Sequence, residues 1–205
     1  DTAPSLHLLG VTMDHYMLLN QHVSNITRDC FYRLHSMYKV SKCITEEAAK
    51  VMIHSGITSR LDYCNALYHK LPANLLTNLQ KVQNTAARLI TFTGKFEHIT
   101  PVMKDLHWLP IRERIEFKLL LLVFKSLNDQ APGYLKDLIR RRQNKGTRSD
   151  DQCLLEVPRT KSGFGDRAFC NAAPALWNAL PLNIRTSHST NIFKRHLKTF
   201  LFRRV

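Results

Sequence analysis

Apolar side chains recur along most of this chain at intervals of three and four residues, the period of helices that bury one face. The longest such pattern runs through Ile111, Ile115, Leu119, Leu122 and Ser126, and Phe117, Leu120, Leu121 and Phe124 widen it almost all the way round. A helix apolar on most of its circumference is buried between other helices. Its charges, Arg112, Glu113, Arg114, Glu116 and Lys118, fall in the first two turns, so that end is expected to face water. Prolines stand before it at Pro101 and Pro110, positions that favour the first turn of a helix. The whole stretch 98–128 is read as the spine of a helical domain.

Upstream, residues 5–13 (SLHLLGVTM) form a short apolar run broken by Gly10, expected to be a strand or the second arm of a hairpin. After Asp14, the residues Leu19, Val23, Ile26, Cys30, Phe31, Leu34, Met37 and Tyr38 share one face of a helix, with Gln21, Asn25, Arg28, Asp29 and Arg33 opposite. Thr45 ahead of Glu46 and Glu47 marks a helix start, a hydroxyl cap followed by carboxylates in the positive first turn. Ala48, Val51, Met52 and Ser55 continue it to a kink or end at Gly56, and Leu61, Tyr63, Cys64, Leu67 and Tyr68 make a further apolar patch. Residues 73–91 place Leu75, Leu76, Leu79, Val82, Ala86, Leu89 and Ile90 on one face, with Gln80, Lys81, Asn84 and Arg88 outside and Gly94 as the expected end. A short helix is predicted from Pro101 to Leu106.

Beyond the spine, Asn128, Asp129 and the run Ala131-Pro132-Gly133 make a turn. Residues 134–142 are predicted as a short helix closed by Arg140-Arg141-Arg142, cations suited to a negative C-terminus. The polar run QNKGTRSDDQ (143–152) is the best linker. A short strand follows at 153–158, then an aromatic-rich, partly helical stretch at 164–177 and a turn at 180–182. Residues 190–204 set Ile192, Phe193, Leu197, Phe200 and Leu201 against Lys194, Arg195, Lys198, Arg203 and Arg204, a basic amphipathic helix. No internal repeat is visible. The chain reads as mainly α: a helical bundle with a short N-terminal strand or hairpin and a small, irregular, basic C-terminal region.

Composition adds a partner class. At 205 residues the chain is long enough for one domain or two small ones, and 44% apolar content argues against wholesale disorder. Thirty Lys and Arg against 16 Asp and Glu give a net charge of +14 and a pI near 9.9. From Met103 onward there are 20 basic and 9 acidic residues, so most of the excess lies in the second half. Such an excess attracts polyanions, either nucleic acid or an acidic membrane surface. The longest apolar run, 119–124, is far too short to span a bilayer, and no signal-peptide pattern is present. Without a secretory signal, the triplet Asn25-Ile26-Thr27 carries no glycosylation meaning. Cys30, Cys43, Cys64, Cys153 and Cys170 are odd in number, widely spaced and without a CxxC pair. They are expected to be reduced, mostly buried thiols of a nuclear or cytoplasmic protein. The first residue is Asp rather than Met, and the chain is expected to be a piece of something longer.

Catalytic and metal signatures are not found. There is no glycine-rich phosphate loop, no HExxH, no GxSxG and no zinc spacing. Ten histidines sit at irregular intervals, which favours surface or packed roles over ligation. Asp150-Asp151 is the only adjacent aspartate pair and lies in the polar linker, where a solvated turn outweighs a Mg²⁺ site. Asp62 is expected to pair locally with Arg60. The basic clusters are more informative. Arg140, Arg141 and Arg142 with Lys145 and Arg148, and separately Lys194, Arg195, Lys198, Arg203 and Arg204, are each able to track a phosphate backbone, against a plain reading as helix caps and solvated charge. Phe164, Phe169, Trp177, Phe193 and Phe200 offer faces on which bases stack, although aromatics at helical spacing are more often core.

Six stretches carry a family resemblance: LLGVTMD (8–14), SRLDYCNALYHKLP (59–72), LQKVQNTAARLI (79–90), HITPVMKDLHWLPIRERIEFKLLLLVFKSLNDQAPGYLKDL (98–138), LLEVPRT (154–160) and FGDRAFCNAAPALWNALPLNIR (164–185). In this order they cover most of the chain, and it resembles the region downstream of the catalytic core in LINE-type, jockey-like non-LTR retrotransposon reverse transcriptases. The resemblance implies that an RNA-directed DNA polymerase palm, with its Mg²⁺-binding aspartates and [FY]-x-D-D motif, lies before Asp1; no such motif occurs here. It implies that Leu9-Gly10-Val11 belongs to the last palm-side hairpin, within a palm-like end at 1–14. The helices of 15–142 would form the thumb and its connections, with 143–152 a linker and 153–205 a basic C-terminal region.

The family's endonuclease and terminal zinc knuckle have no counterpart here. The implied partners are RNA, an RNA–DNA hybrid or DNA, together with the palm; no catalytic residue, metal or cofactor is assigned to this chain. Lys81 and Arg88 are candidate thumb contacts on position alone. The alternatives are a degenerate or repurposed element fragment acting as a helical interaction module, and a helix-turn-helix regulator, for which no clear recognition helix is found.

Overall fold

The structure, a computed structural model, describes residues 5–142 and 152–204. The chain divides into two compact units, Asp1–Arg114 and Ile115–Val205.

The first unit opens with an antiparallel hairpin of β1 (Ser5–Leu8) and β2 (Val11–Asp14), Ser5 opposite Asp14 and Leu8 opposite Val11. Leu9 and Gly10 both have positive φ, 46° and 81°. That pair of left-handed residues is what a two-residue turn needs to match the twist of its strands. The hairpin thus spans the short apolar run and ends one residue beyond it, at Asp14. Asp14 then ties the hairpin to the first helix, its carboxylate accepting from the backbone N–H of Leu18 at 2.7 Å and of Asn20 at 3.1 Å.

Helix α1 (Asn20–Val40) buries Val23, Cys30 and Leu34. Phe31 and Tyr38, expected on that face, are exposed. At 3.6 residues per turn they lie roughly a quarter turn from the centre of the stripe. In α2 (Glu46–Ile53) the Thr45 hydroxyl caps Ala48 N–H at 3.3 Å as the sequence predicts, but the buried residues are Ala49 and Ile53, and Val51 is 67% exposed. A π-helical turn (His54–Thr58) containing Gly56 leads into α3 (Ser59–Asp62). Ala49, Ile53, Ile57 and Leu61 are all buried at intervals of four. A stripe of that spacing drifts round an ordinary helix, and the wider π turn takes up the drift.

Helix α4 (Ala73–Thr91) spans the residues its pattern predicts and packs against α1, α2 and α5 (Ile99–Asp105). It ends before Gly94: Phe92 takes the left-handed conformation (φ 53°) that closes the helix. Two of its glutamines hold the start of α6 (Ile111–Leu127). Gln83 Nε2 donates to Leu109 O at 2.9 Å, and Gln80 Oε1 accepts from Ile111 N at 2.9 Å, one of the N–H groups a helix start leaves unpartnered. Gln80 is therefore a cap rather than a solvated residue. Asp62 pairs with Arg114 through a two-bond fork, not with Arg60, which pairs with Asp29 at 2.9 Å.

The second unit starts within α6. Its first turns are drier than their charges suggest: Glu116 is only 9% exposed and pairs with Arg204 at 2.6 Å. After α7 (Gly133–Asp137) the chain leaves the helix, so Arg140–Arg142 do not form its last turn. They run extended, bridging residues 154–156 through Arg142 N–H to Leu154 O (3.0 Å) and Glu156 N–H to Arg140 O (2.9 Å). Then come α8 (Gly163–Arg167), α9 (Phe169–Asn178), α10 (Leu182–Arg185) and α11 (Thr190–Phe202). The core sets Phe193 in a stack on Phe124, ring centroids 4.3 Å apart, with Trp177 at 5.9 Å. Leu155, Ile184, Leu197 and Leu201 are buried with them. The expected turn at 180–182 instead starts a helix, because Pro181 stands just before its first residue.

None of the five cysteines is in a disulfide, but only Cys30 is buried. Cys43 closes a short 3₁₀ turn (Ser41–Cys43), and Cys153 takes a left-handed backbone (φ 51°) just ahead of residues 154–156; both are exposed. Among the described residues no helix is long and apolar enough to cross a membrane.

Candidate nucleic-acid interface

In the first unit, a groove of about 690 Å³ runs between the end of α1 and the C-terminal half of α4. Tyr38 and Ser41 form one wall, Lys81, Thr85 and Arg88 the other, and the loop after α4 brings in Phe92 and Lys95. Lys81 and Arg88 are thus brought together, seven residues and two helical turns apart on one face.

Arg88 has a second task. Its Nε donates to Gly94 O at 3.2 Å and its Nη2 to Glu97 O at 2.9 Å. Glu97 in turn accepts the Gly94 N–H at 2.8 Å, and the Thr91 and Thr93 hydroxyls meet at 2.6 Å. This network fixes the loop, and among the described residues no carboxylate lines the groove. The aromatic side chains are turned outward: Tyr38 is 68% exposed, Phe92 63% and Phe96 94%, with Lys95 Nζ 5.7 Å from the Phe96 ring centroid. Exposed aromatics interleaved with cations suit nucleic acid.

Sequence reasoning missed Tyr38, Phe92, Lys95 and Phe96. The available signal was Phe92 and Phe96 flanking a lysine in TFTGKFE, directly after a helix with basic residues.

A smaller cleft of about 440 Å³ lies beside the hairpin, lined by Gly10, His22, Arg33, Ser59, Arg60 and Tyr63. Its two guanidiniums are already satisfied by Asp29, at 3.1 Å from Arg33 and 2.9 Å from Arg60. Burial, and then the nearby His7, hold the His22 imidazole below its ordinary pKa. Its Nδ1 faces Thr12 N–H at 3.4 Å and its Nε2 faces the Tyr68 hydroxyl at 3.2 Å. This arrangement is structural.

In the second unit the cations divide. Arg140, Arg141 and Arg142 are exposed on an extended segment, so Arg140 and Arg142 share one face and Arg141 takes the other. On α11, Arg195 is exposed, Lys194 and Lys198 are half-buried one turn apart, and Lys198 Nζ lies 5.8 Å from the Phe202 ring centroid. Arg203 is exposed, and Arg204 is committed to Glu116. Lys145, Arg148 and the Asp150-Asp151 pair lie outside the described residues. Of the aromatics considered for stacking, Trp177 and Phe193 are core, Phe169 and Phe200 are half-buried, and Phe164 is exposed. Among the described residues, no group of His, Cys, Asp and Glu is placed to hold a metal ion.

Fold and groove define a mainly helical, strongly basic protein with an aromatic-edged cationic surface. No protein-family model, no curated protein and no solved structure matches the chain.

Proposed function

We propose that this chain is the thumb and post-thumb part of a non-LTR retroelement reverse transcriptase. In this role it grips RNA, an RNA–DNA hybrid or DNA for a palm that precedes it in sequence, and it carries no polymerase chemistry itself. The observation that carries the reading is the groove that gathers Lys81, Arg88 and Lys95 with outward aromatics and, among the described residues, no lining carboxylate. The ordered stretches of resemblance supply the family, and a hairpin followed by packed helices is the order that resemblance implies. Cysteines that form no disulfide suit a nuclear or cytoplasmic setting.

The test is a fluorescence-anisotropy titration with a labelled template–primer, repeated across salt concentrations. Cations that displace counterions make affinity fall steeply, by about tenfold or more between roughly 50 and 200 mM salt. Absence of binding at low salt would refute the reading. Nucleotide incorporation by the isolated chain would refute the division of labour between this part and the palm.

A second reading, a repurposed helical interaction module, is favoured by the apolar surface around the hairpin, where Leu6, Leu8, Leu9 and Tyr16 are exposed. Such a patch suits a protein partner. In the first reading that partner is the palm. An open reading frame for a palm directly upstream separates the two.

A further inference from the structure

We propose that the groove between α1 and α4 takes single-stranded nucleic acid, its bases stacked on Tyr38, Phe92 and Phe96 and its phosphates held by Lys81 and Lys95. The inference rests on the nucleic-acid reading of this groove and narrows its ligand.

Scattered exposed apolar residues are ordinary on any protein surface. Two exposed aromatics, Tyr38 and Phe92, line a single cationic groove, and a third, Phe96, stands at its edge in sequence, next to the lining Lys95. In a duplex the bases stack on one another and the accessible surface is phosphate and groove edge, so outward rings gain little there. A single strand offers the face of every base, and stacking on an aromatic side chain is tolerant of sequence.

The loop is built to present its rings in place. Phe92 holds a left-handed backbone, and Arg88 grips Gly94 and Glu97 through their carbonyl oxygens. A fixed loop loses little conformational entropy on binding. Arg88 therefore acts as a positioning residue. Among the described residues neither Lys81 nor Lys95 has a carboxylate partner, so both ammonium groups are available to phosphate.

The experiment is anisotropy with the full chain, using a short labelled oligo(dT) strand and a blunt duplex of equal length. Phe92→Ala and Phe96→Ala are each expected to weaken oligo(dT) binding by about tenfold, the scale of one lost base–aromatic stack, and to leave duplex binding unchanged. Lys81→Gln is expected to weaken both ligands. Phe96 is almost fully exposed, so its replacement tests the idea even where Phe92→Ala disturbs the helix end. Oligo(dT) binding indifferent to both phenylalanine substitutions overturns the inference and leaves the broader nucleic-acid reading standing. So does an equal loss for strand and duplex. Failure of either ligand to bind the unaltered chain overturns both.

Discussion

His22 has its proton assigned by its neighbours. Thr12 N–H points at Nδ1, so the neutral ring carries its hydrogen on Nε2 and donates to the Tyr68 hydroxyl. A second proton would have to sit on Nδ1, facing another N–H. Together with burial and the charge of His7, this keeps the folded-state pKa below the ordinary 6.5. The sign follows from linkage. Above about 6.5 the imidazole is neutral in both states, and its contribution to stability is complete. Below that, the unfolded chain takes up the proton first, and stability drains away as the pH falls toward the depressed folded value. Denaturant midpoints are expected to drop between about pH 7.5 and pH 5.5. The drop is expected to be smaller in His22→Gln, whose amide keeps an acceptor and a donor without titrating. Equal drops in the two proteins would remove His22 from the account.

At the scale of elements, legibility in the sequence divides by how local the cause is. Residues 73–91 predict α4 because Pro72 marks its start and one apolar stripe runs its length. Residues 134–142 mislead, because the helix spacing and the terminal arginines are local, whereas the segment that captures them is not. Arg140–Arg142 pair with residues 154–156, and that pairing is itself set by α9. Asn178 Nδ2 donates to Leu155 O and its Oδ1 accepts from Leu155 N, both at 2.8 Å, while Trp177 Nε1 donates to Cys153 O at 2.9 Å. The groove divides in the same way. Lys81 and Arg88 stand out as outward charges on a readable helix, but Phe92 and Lys95 join them only through a left-handed turn and the Arg88 clamp. Asn178→Ala strips both partners from the Leu155 backbone and is expected to destabilise the second unit by about 2 kcal/mol. Hydrogen exchange should then quicken at the N–H groups of Arg142 and Glu156, which bond across this bridge. Unchanged exchange at both would mean that the arginine segment is held by something other than α9.

For the molecule as a whole the dominant quantity is the charge of +14. Like charge on a compact chain repels itself and lowers stability. Added salt screens that repulsion, and it also screens the ion pairs that oppose it. The pairs are the weaker side. Lys136–Asp129 and Lys50–Glu46 lie in solvent, where screening leaves an ion pair contributing little. Asp62–Arg114 and Glu116–Arg204 each have a less exposed partner and are screened less. Salt is therefore expected to raise the thermal midpoint between about 0.05 and 0.3 M, a range over which the screening length shortens to several ångströms. A polyanion does more, because it binds the folded arrangement of cations and not only their sum. Heparin at about a hundred times its dissociation constant stabilises by about 2.7 kcal/mol, provided it does not bind the unfolded chain. Measured by thermal denaturation in low salt, heparin is expected to raise the midpoint well beyond the effect of salt alone, and added salt should then erode the heparin effect. A midpoint that falls with salt would show that the ion pairs outweigh the repulsion. Heparin acting no more strongly than the salt it contributes would show that the cations are not gathered into a surface a polyanion can use.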